Sequence, residues 1–297
     1  KADIPMELEQ AAEDVYYVVG RNGVPDADNQ GFMSNAGFVV TSDGVVVYDA
    51  LGTPSLGWKL LQKIRGVTDQ PVTHVVVGHY HADHVYGLQA FQDHTDATIL
   101  AQQRGWEYIE GPGAGQRLQQ RRQALFPWVD DNTRVVPPDE TFDERRVLEM
   151  GDKRLEIIHV GPAHAPDDNM LIVHGPDVVF AGDILFDGRI PFMGDNVSTD
   201  NWLAGVERLA EMDPPPEVII PGHGPVAEDA TGAIAFMRGY ITKLQDSMGA
   251  AVRDLQPFKQ AYAATDWSEY RGLPAFDATH RSNAYNVYLE LQESGGF

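Results

Sequence analysis

Six consecutive positions, His79-Tyr80-His81-Ala82-Asp83-His84, hold three imidazoles and a carboxylate directly after the valine-rich run Val72–Val77. Imidazole nitrogens and carboxylate oxygens are the usual non-thiolate ligands of Zn²⁺. One histidine on an apolar run is ordinarily a packed core or surface residue. Three of them beside an aspartate gain nothing from crowding unless a cation binds them, so the motif points to metal. Three more ligand types follow apolar runs: His164 after Leu155–Val160, Asp183 after Val178–Ala181, and His223 after Val218–Ile220. Their glycine neighbours, in Gly161-Pro162-Ala163-His164, Gly182-Asp183 and Pro221-Gly222-His223-Gly224, let a backbone turn sharply beside a crowded site. Each of these alone is an ordinary turn signal. Together with the dense motif they read as one ligand set.

The elements that must position these side chains are short strands alternating with helices. Val15–Val19, Gly37–Val40 and Val45–Tyr48 read as strands, the last two joined by a turn at Ser42-Asp43-Gly44. Thr53 reads as the cap of a helix starting at Pro54 and running to Ile64. Val72–Val77, Ile99–Ala101 and Val135–Val136 continue the strand series, and Leu155–Val160, Met170–Val173, Val178–Ala181 and Val218–Ile220 repeat it in the second half. Thr199 reads as the cap of a helix from Asp200 to Glu211, and a long helix follows from about Asp229 to Asp254. Two similar halves predict two layers packed sheet to sheet with helices outside. The whole chain, residues 1–297, reads as a single domain with a C-terminal helical extension over about 229–297. The Gln- and Arg-rich stretch Gln102–Pro138 reads as an insertion of one helix and a loop, hinged at Gly111–Gly115. Its length suits a lid with Phe126 and Trp128 facing the substrate. The competing reading is a surface excursion.

The ordered pattern His-x-His-x-Asp-His, a later lone His, a Gly-Asp and a Pro-Gly-His-Gly resembles the metallo-β-lactamase superfamily over roughly Val15 to Pro225. The resemblance implies an α/β fold, a four-layer αββα sandwich with metals at one edge of its two sheets. It implies one metal on His79, His81 and His164, a second on Asp83, His84 and His223, and Asp183 bridging both. Asp49 matches an aspartate that steadies the motif loop; its other reading is a simple strand-end turn residue. Two Zn²⁺ ions, for which iron or manganese could substitute, would lie roughly 3.5–4 Å apart and share a hydroxide as nucleophile. Asp83 would orient that hydroxide and take its proton. The implied function is hydrolysis of a small ester-like bond: a lactone, thioester or β-lactam. Class B1 and B2 β-lactamases carry cysteine where this chain has Asp183, so the set is closer to the glyoxalase II, lactonase and esterase branches. Diiron flavoproteins place glutamate where His81 stands. Two other readings are a mononuclear-iron oxidoreductase of sulfur compounds, since persulfide dioxygenases share parts of the histidine pattern, and a non-catalytic metal-binding partner in a redox relay. The segments Leu185–Phe192 and His280-Arg281-Ser282-Asn283 resemble a periplasmic branch met near sulfur-oxidation and quinoprotein systems.

Composition bounds the partners. Acidic residues outnumber basic ones 44 to 22, a formal net charge of −22, which repels nucleic acid. A small-molecule substrate is expected, with no nucleic acid, no membrane span and an oligomeric state that the sequence leaves open. The absence of cysteine removes disulfides and thiolate metal sites. A start at Lys1 rather than Met suits removal of an upstream segment, by the cell or in cloning; a periplasmic or secreted location is expected, with the cytoplasm as the alternative, since a cysteine-free chain fits either. The acidic C-terminal region argues against glutathione thioesters. Phe186 and Phe192 could form an apolar wall for the substrate, although buried aromatics more often belong to the core. Arg189 could meet an anionic group on the substrate; a surface ion pair is the plainer expectation.

Overall fold

In strand β4 (Gly44–Tyr48) the side chains alternate between two cores: Val45 and Val47 face one, Val46 and Tyr48 the other. A period of two on a sheet covered on both faces requires this. The computed structural model describes residues 1–226 and 229–295. Its first sheet orders β1 (Glu9–Ala12), β2 (Val15–Val18), β3 (Ala36–Thr41), β4, β5 (Val72–Val77), β6 (Thr98–Gln102) and β7 (Glu140–Phe142) side by side, antiparallel as far as β4 and parallel from there on. The second orders β12 (Val218–His223), β11 (Val178–Phe186), β10 (Asn169–His174), β9 (Lys153–His159) and β8 (Arg145–Met150), with only β11 and β12 parallel.

Three apolar cores separate four layers. Val46, Tyr48 and Val76 meet Leu171, Phe180 and Ile220 between the sheets. Helix α1 (Pro54–Val67) buries Leu56, Leu60 and Ile64 on the outer face of the first sheet. Helices α6 (Thr199–Ala210), α7 (Thr231–Arg253) and α9 (Arg281–Glu293) cover the second sheet through residues such as Trp202, Ile241 and Val287. This is the αββα order expected. The remaining helices are α2 (Ala82–Val85), α3 (Leu88–His94), α4 (Gly105–Glu110), α5 (Pro112–Ala124) and α8 (Phe258–Ala264), with a π-helical turn at Phe276–His280.

Several local expectations need correction. Thr53 does cap α1, accepting the Leu56 N–H at 3.2 Å. Thr199, by contrast, is the first residue of α6 and not its cap. Its N–H and hydroxyl donate to the Glu290 carboxylate of α9 at 2.7 and 2.9 Å, so a distant helix satisfies this terminus. Val135–Val136 forms no strand; Val136 is buried and its carbonyl accepts the Tyr80 hydroxyl at 3.0 Å. The edge position belongs to β7. The insertion holds two helices, α4 and α5, in place of one helix and a loop, and its glycine-rich stretch begins α5.

Candidate metal centre

Parallel neighbours end on the same side, so β4 and β5 bring Asp49 and Gly78-His79 to one edge of the first sheet. Strands β11 and β12 bring Asp183 and His223 to the facing edge of the second. Hydrogen bonds lock the two edges. The Tyr48 hydroxyl donates to the Asn169 carbonyl at 2.6 Å, and the Asn35 amide to the carbonyls of Pro221 and Gly224, both at 2.9 Å. Asp183 does not follow its strand as expected: β11 continues to Phe186, and its pairing register breaks at Gly182, where φ is +54°. Such a bulge re-aims the neighbouring side chain. Gly222 is a matter of room, because a Cβ there would collide with the Asp183 carboxylate.

At this edge His79 Nε2, His81 Nδ1 and His164 Nε2 converge, the His81 nitrogen lying 2.9 Å from each of the others. Burial, followed by the neighbouring His164, pushes His81 down to about 3. Burial and the neighbouring imidazoles also hold His79 well below the ordinary range. A neutral ring has one N–H, and a hydrogen on His81 Nδ1 can serve only one of its two neighbours. Lone pairs facing each other in a dry site are costly. Neutral imidazoles at this spacing fit a metal roughly 2.0–2.1 Å from each nitrogen.

Asp83, His84 and His223 form a second group that could hold a metal. Asp83 Oδ2 lies 3.3 Å from His223 Nε2 and 3.7 Å from His84 Nε2. Asp183 stands between the groups. Its Oδ2 is 3.2 Å from His164 Nε2 and 3.4 Å from His223 Nε2, and its Oδ1 is 3.3 Å from His84 Nε2. His84 Nε2 and Asp183 Oδ1 are buried without a hydrogen-bond partner among the described residues, the orphaned state that a bound cation relieves. The structure thus gathers all seven sequence-predicted ligand residues into one cluster.

The outer contacts were largely illegible in the sequence. His84 Nδ1 bonds Asp49 Oδ2 at 2.7 Å, and Asp49 Oδ1 accepts the Gly78 N–H at 2.7 Å. His223 Nδ1 donates to the Met33 carbonyl at 2.8 Å. These bonds leave Nε2 of both rings for the cluster. Burial disfavours a charge on His84, yet Asp183 and Asp49 outweigh it and hold the ring well above its ordinary value. Burial likewise favours neutral Asp83, but His223, His84 and Arg121 hold its carboxyl well below the usual range.

The cluster opens into a cavity of about 370 Å³. Phe186, Arg189 and Phe192 line it, and the Phe186 ring stacks on His223 with centroids 4.9 Å apart. Phe126 and Trp128 do not line it. Phe126 is 71% exposed, and Trp128 packs half-buried against the core beneath α1. The insertion reaches the cavity through α5 instead, with Arg117, Gln120 and Arg121. Arg121 Nη2 lies 3.9 Å from Asp83 Oδ1. Arg189 is buried, not set in a surface ion pair.

The family model of the metallo-beta-lactamase superfamily matches residues 29–223. The probable metallo-hydrolase YqgX of Bacillus subtilis (strain 168) is 24% identical over 206 residues, 67% of this chain and 88% of that protein. A linear primary-alkylsulfatase of Pseudomonas sp. (strain ATCC 19151) is 22% identical over 241 residues, 69% of this chain and 44% of that protein. Among solved structures, the inverting sec-alkylsulfatase Pisa1 from Pseudomonas sp. superposes with a TM-score of 0.74 at 16% identity, over 96% of this chain and 50% of that one. A metallo-beta-lactamase from Pontibacter korlensis superposes with a TM-score of 0.61 at 18% identity, over 80% of this chain and 99% of that one. The chain spans about half the length of the alkylsulfatases it matches.

Proposed function

Because the chain belongs to the metallo-β-lactamase superfamily, whose members are metal-dependent hydrolases, we propose that it cleaves a small ester-like bond with two divalent metals, chiefly zinc. The observation that carries this reading is the pair of complete ligand groups joined through Asp183 at the floor of one cavity. His79, His81 and His164 would hold one metal; Asp83, His84 and His223 would hold the other. Bound there, the pair would supply an acidified water and an electrophile for the substrate oxygen. Asp83 sets one carboxylate oxygen beside His223 and the other toward Arg121 at the cavity, a position from which it could orient the attacking water and accept its proton. Asp49 and the Met33 carbonyl keep His84 and His223 in place. Phe186 and Phe192 offer the substrate an apolar wall. Lactones, thioesters and β-lactams fall within this bond class, and the alkylsulfatase relatives bring sulfate esters into it.

Elemental analysis, paired with a panel of chromogenic esters, lactones, nitrocefin and 4-nitrophenyl sulfate, tests the reading. About two metals per chain are expected, with turnover that a chelator abolishes and added zinc restores. At most one tightly bound metal with activity intact would remove the dinuclear part. No turnover of any substrate by the metal-loaded protein would remove the hydrolase.

A further inference from the structure

An arginine buried in an acidic protein, with no matching carboxylate among the described residues, asks for an anion from elsewhere. Arg189 is 4% exposed and lines the cavity, and its Nη1 has no hydrogen-bond partner among the described residues. Its Nε donates only to the Ile190 carbonyl, at 3.3 Å, and its guanidinium lies 5.9 Å from the centre of the Phe186 ring. The acids that act on it are Asp83 and Asp183, both already committed to the histidine cluster. Helix α5 adds Arg117 and Arg121 to the same cavity. They stand four positions apart, where like charges on a helix repel. Arg121 reaches Asp83 Oδ1 only at 3.9 Å, and Arg117 lies 6.0 Å from the centre of the Phe192 ring. Among the described residues, three arginines therefore face two carboxylates in this cavity, while the chain as a whole carries −22. Any bound divalent metal adds positive charge. Val24, Pro25 and Phe192 supply an apolar lining beside them.

We propose that Arg189, together with Arg121 and Arg117, is the receptor for an anionic group on the substrate, so that the preferred substrates are amphiphilic: one negative charge beside an apolar body. The inference rests on the reading of this cavity as the substrate site of a hydrolase. A guanidinium fork matches the oxygens of a carboxylate, sulfate or phosphate, and such charge-assisted bonds are strong in a partly dry site. The anion can be a carboxylate remote from the scissile bond or the ester group itself.

The test uses the metal-loaded protein, three 4-nitrophenyl substrates and one inert ligand. The substrates are the butyrate (neutral), the hydrogen adipate (remote carboxylate) and the sulfate (charge at the scissile centre). The ratio of kcat/KM for each anionic substrate to that for the butyrate is expected to fall about 10- to 100-fold in Arg189→Met and Arg121→Gln, the range for hydrogen bonds to charged groups. Which anionic substrate shows the fall tells where the charge sits. Arg189→Lys should recover part of it. Arg121 lies on the surface helix, so its variant keeps the test meaningful if Arg189→Met does not fold. The inert ligand is 1-hexanesulfonate, which cannot be hydrolysed; calorimetry should show its binding weakened at least tenfold in both variants at equal metal content. Unchanged ratios together with unchanged sulfonate binding would overturn the proposal and leave the hydrolase standing. Arginine-dependent sulfonate binding without turnover of any ester would uphold the receptor and remove the hydrolase.

Discussion

Asp83 presents its two oxygens to different neighbours: Oδ2 to His223 at 3.3 Å and Oδ1 toward Arg121 at 3.9 Å. An amide can still offer one oxygen but cannot take a proton. Asp83→Asn is therefore expected to keep much of its metal while kcat falls about 10²- to 10⁴-fold. Near-normal turnover in that variant would exclude Asp83 as the base. Asp183→Ala should behave differently, because this carboxylate touches both ligand groups: metal measured by elemental analysis should fall at both sites together. The clustered histidines and aspartates were legible in the sequence because their types are rare and their spacing dense. Met33 was not, since any residue offers a carbonyl, and only the fold brings it to His223. Arg121 was hidden for a related reason: a helix rich in Gln and Arg has the pattern of a solvated one.

Strands buried on both faces carry continuous apolar runs that are legible in the sequence, and the edge strands do not. Strand β8 begins Arg145-Arg146 and β7 begins Glu140-Thr141, exposed polar residues of the kind that blunt a sheet edge and disguise a strand. Trp128 belongs to the same lesson. It fastens the insertion to the body, so Trp128→Ala should lower stability by about 1–3 kcal/mol, less than a fully buried Trp would cost. KM and kcat well below the melting temperature should stay put, and a selective loss of apolar substrates would restore the lid reading for this residue. The C-terminal helices supply a pH effect. His280 is buried with its ring stacked on Phe276, centroids 4.4 Å apart, and burial pushes it down to about 4. The unfolded chain then binds the extra proton first, so this contribution is complete above about pH 6.5 and is lost as pH falls toward 4. Thermal melts between pH 7 and 4.5 should show a shallower acid-side decline in His280→Gln. An identical slope would remove His280 from the account.

For the molecule as a whole, the cluster draws side chains from both sheets, so a metal bound there would act as a clasp between them. Anything that binds the folded form alone stabilises it by mass action, about 2.7 kcal/mol at a hundredfold excess over Kd. Chelation should thus lower the melting temperature by roughly 5 °C or more in a chain of this size, reversibly on adding zinc. No change on chelation would mean that the cluster holds no metal in the folded protein. The overall layering was legible because alternating and continuous apolar runs dictate which strands are covered on one face or two. The closing of α6 by Glu290 was not, since nothing near Thr199 announces a partner 91 positions away. Distance along the chain also has a meaning in time. The Met33 carbonyl that orients His223 is made 190 positions before it, so at about 5–20 residues per second of synthesis it waits roughly 10–40 s for its partner. From the synthesis of His84 until that of His223 the nascent chain carries His79, His81, Asp83 and His84 without the rest of their cluster, which can close only after the ribosome has delivered β12.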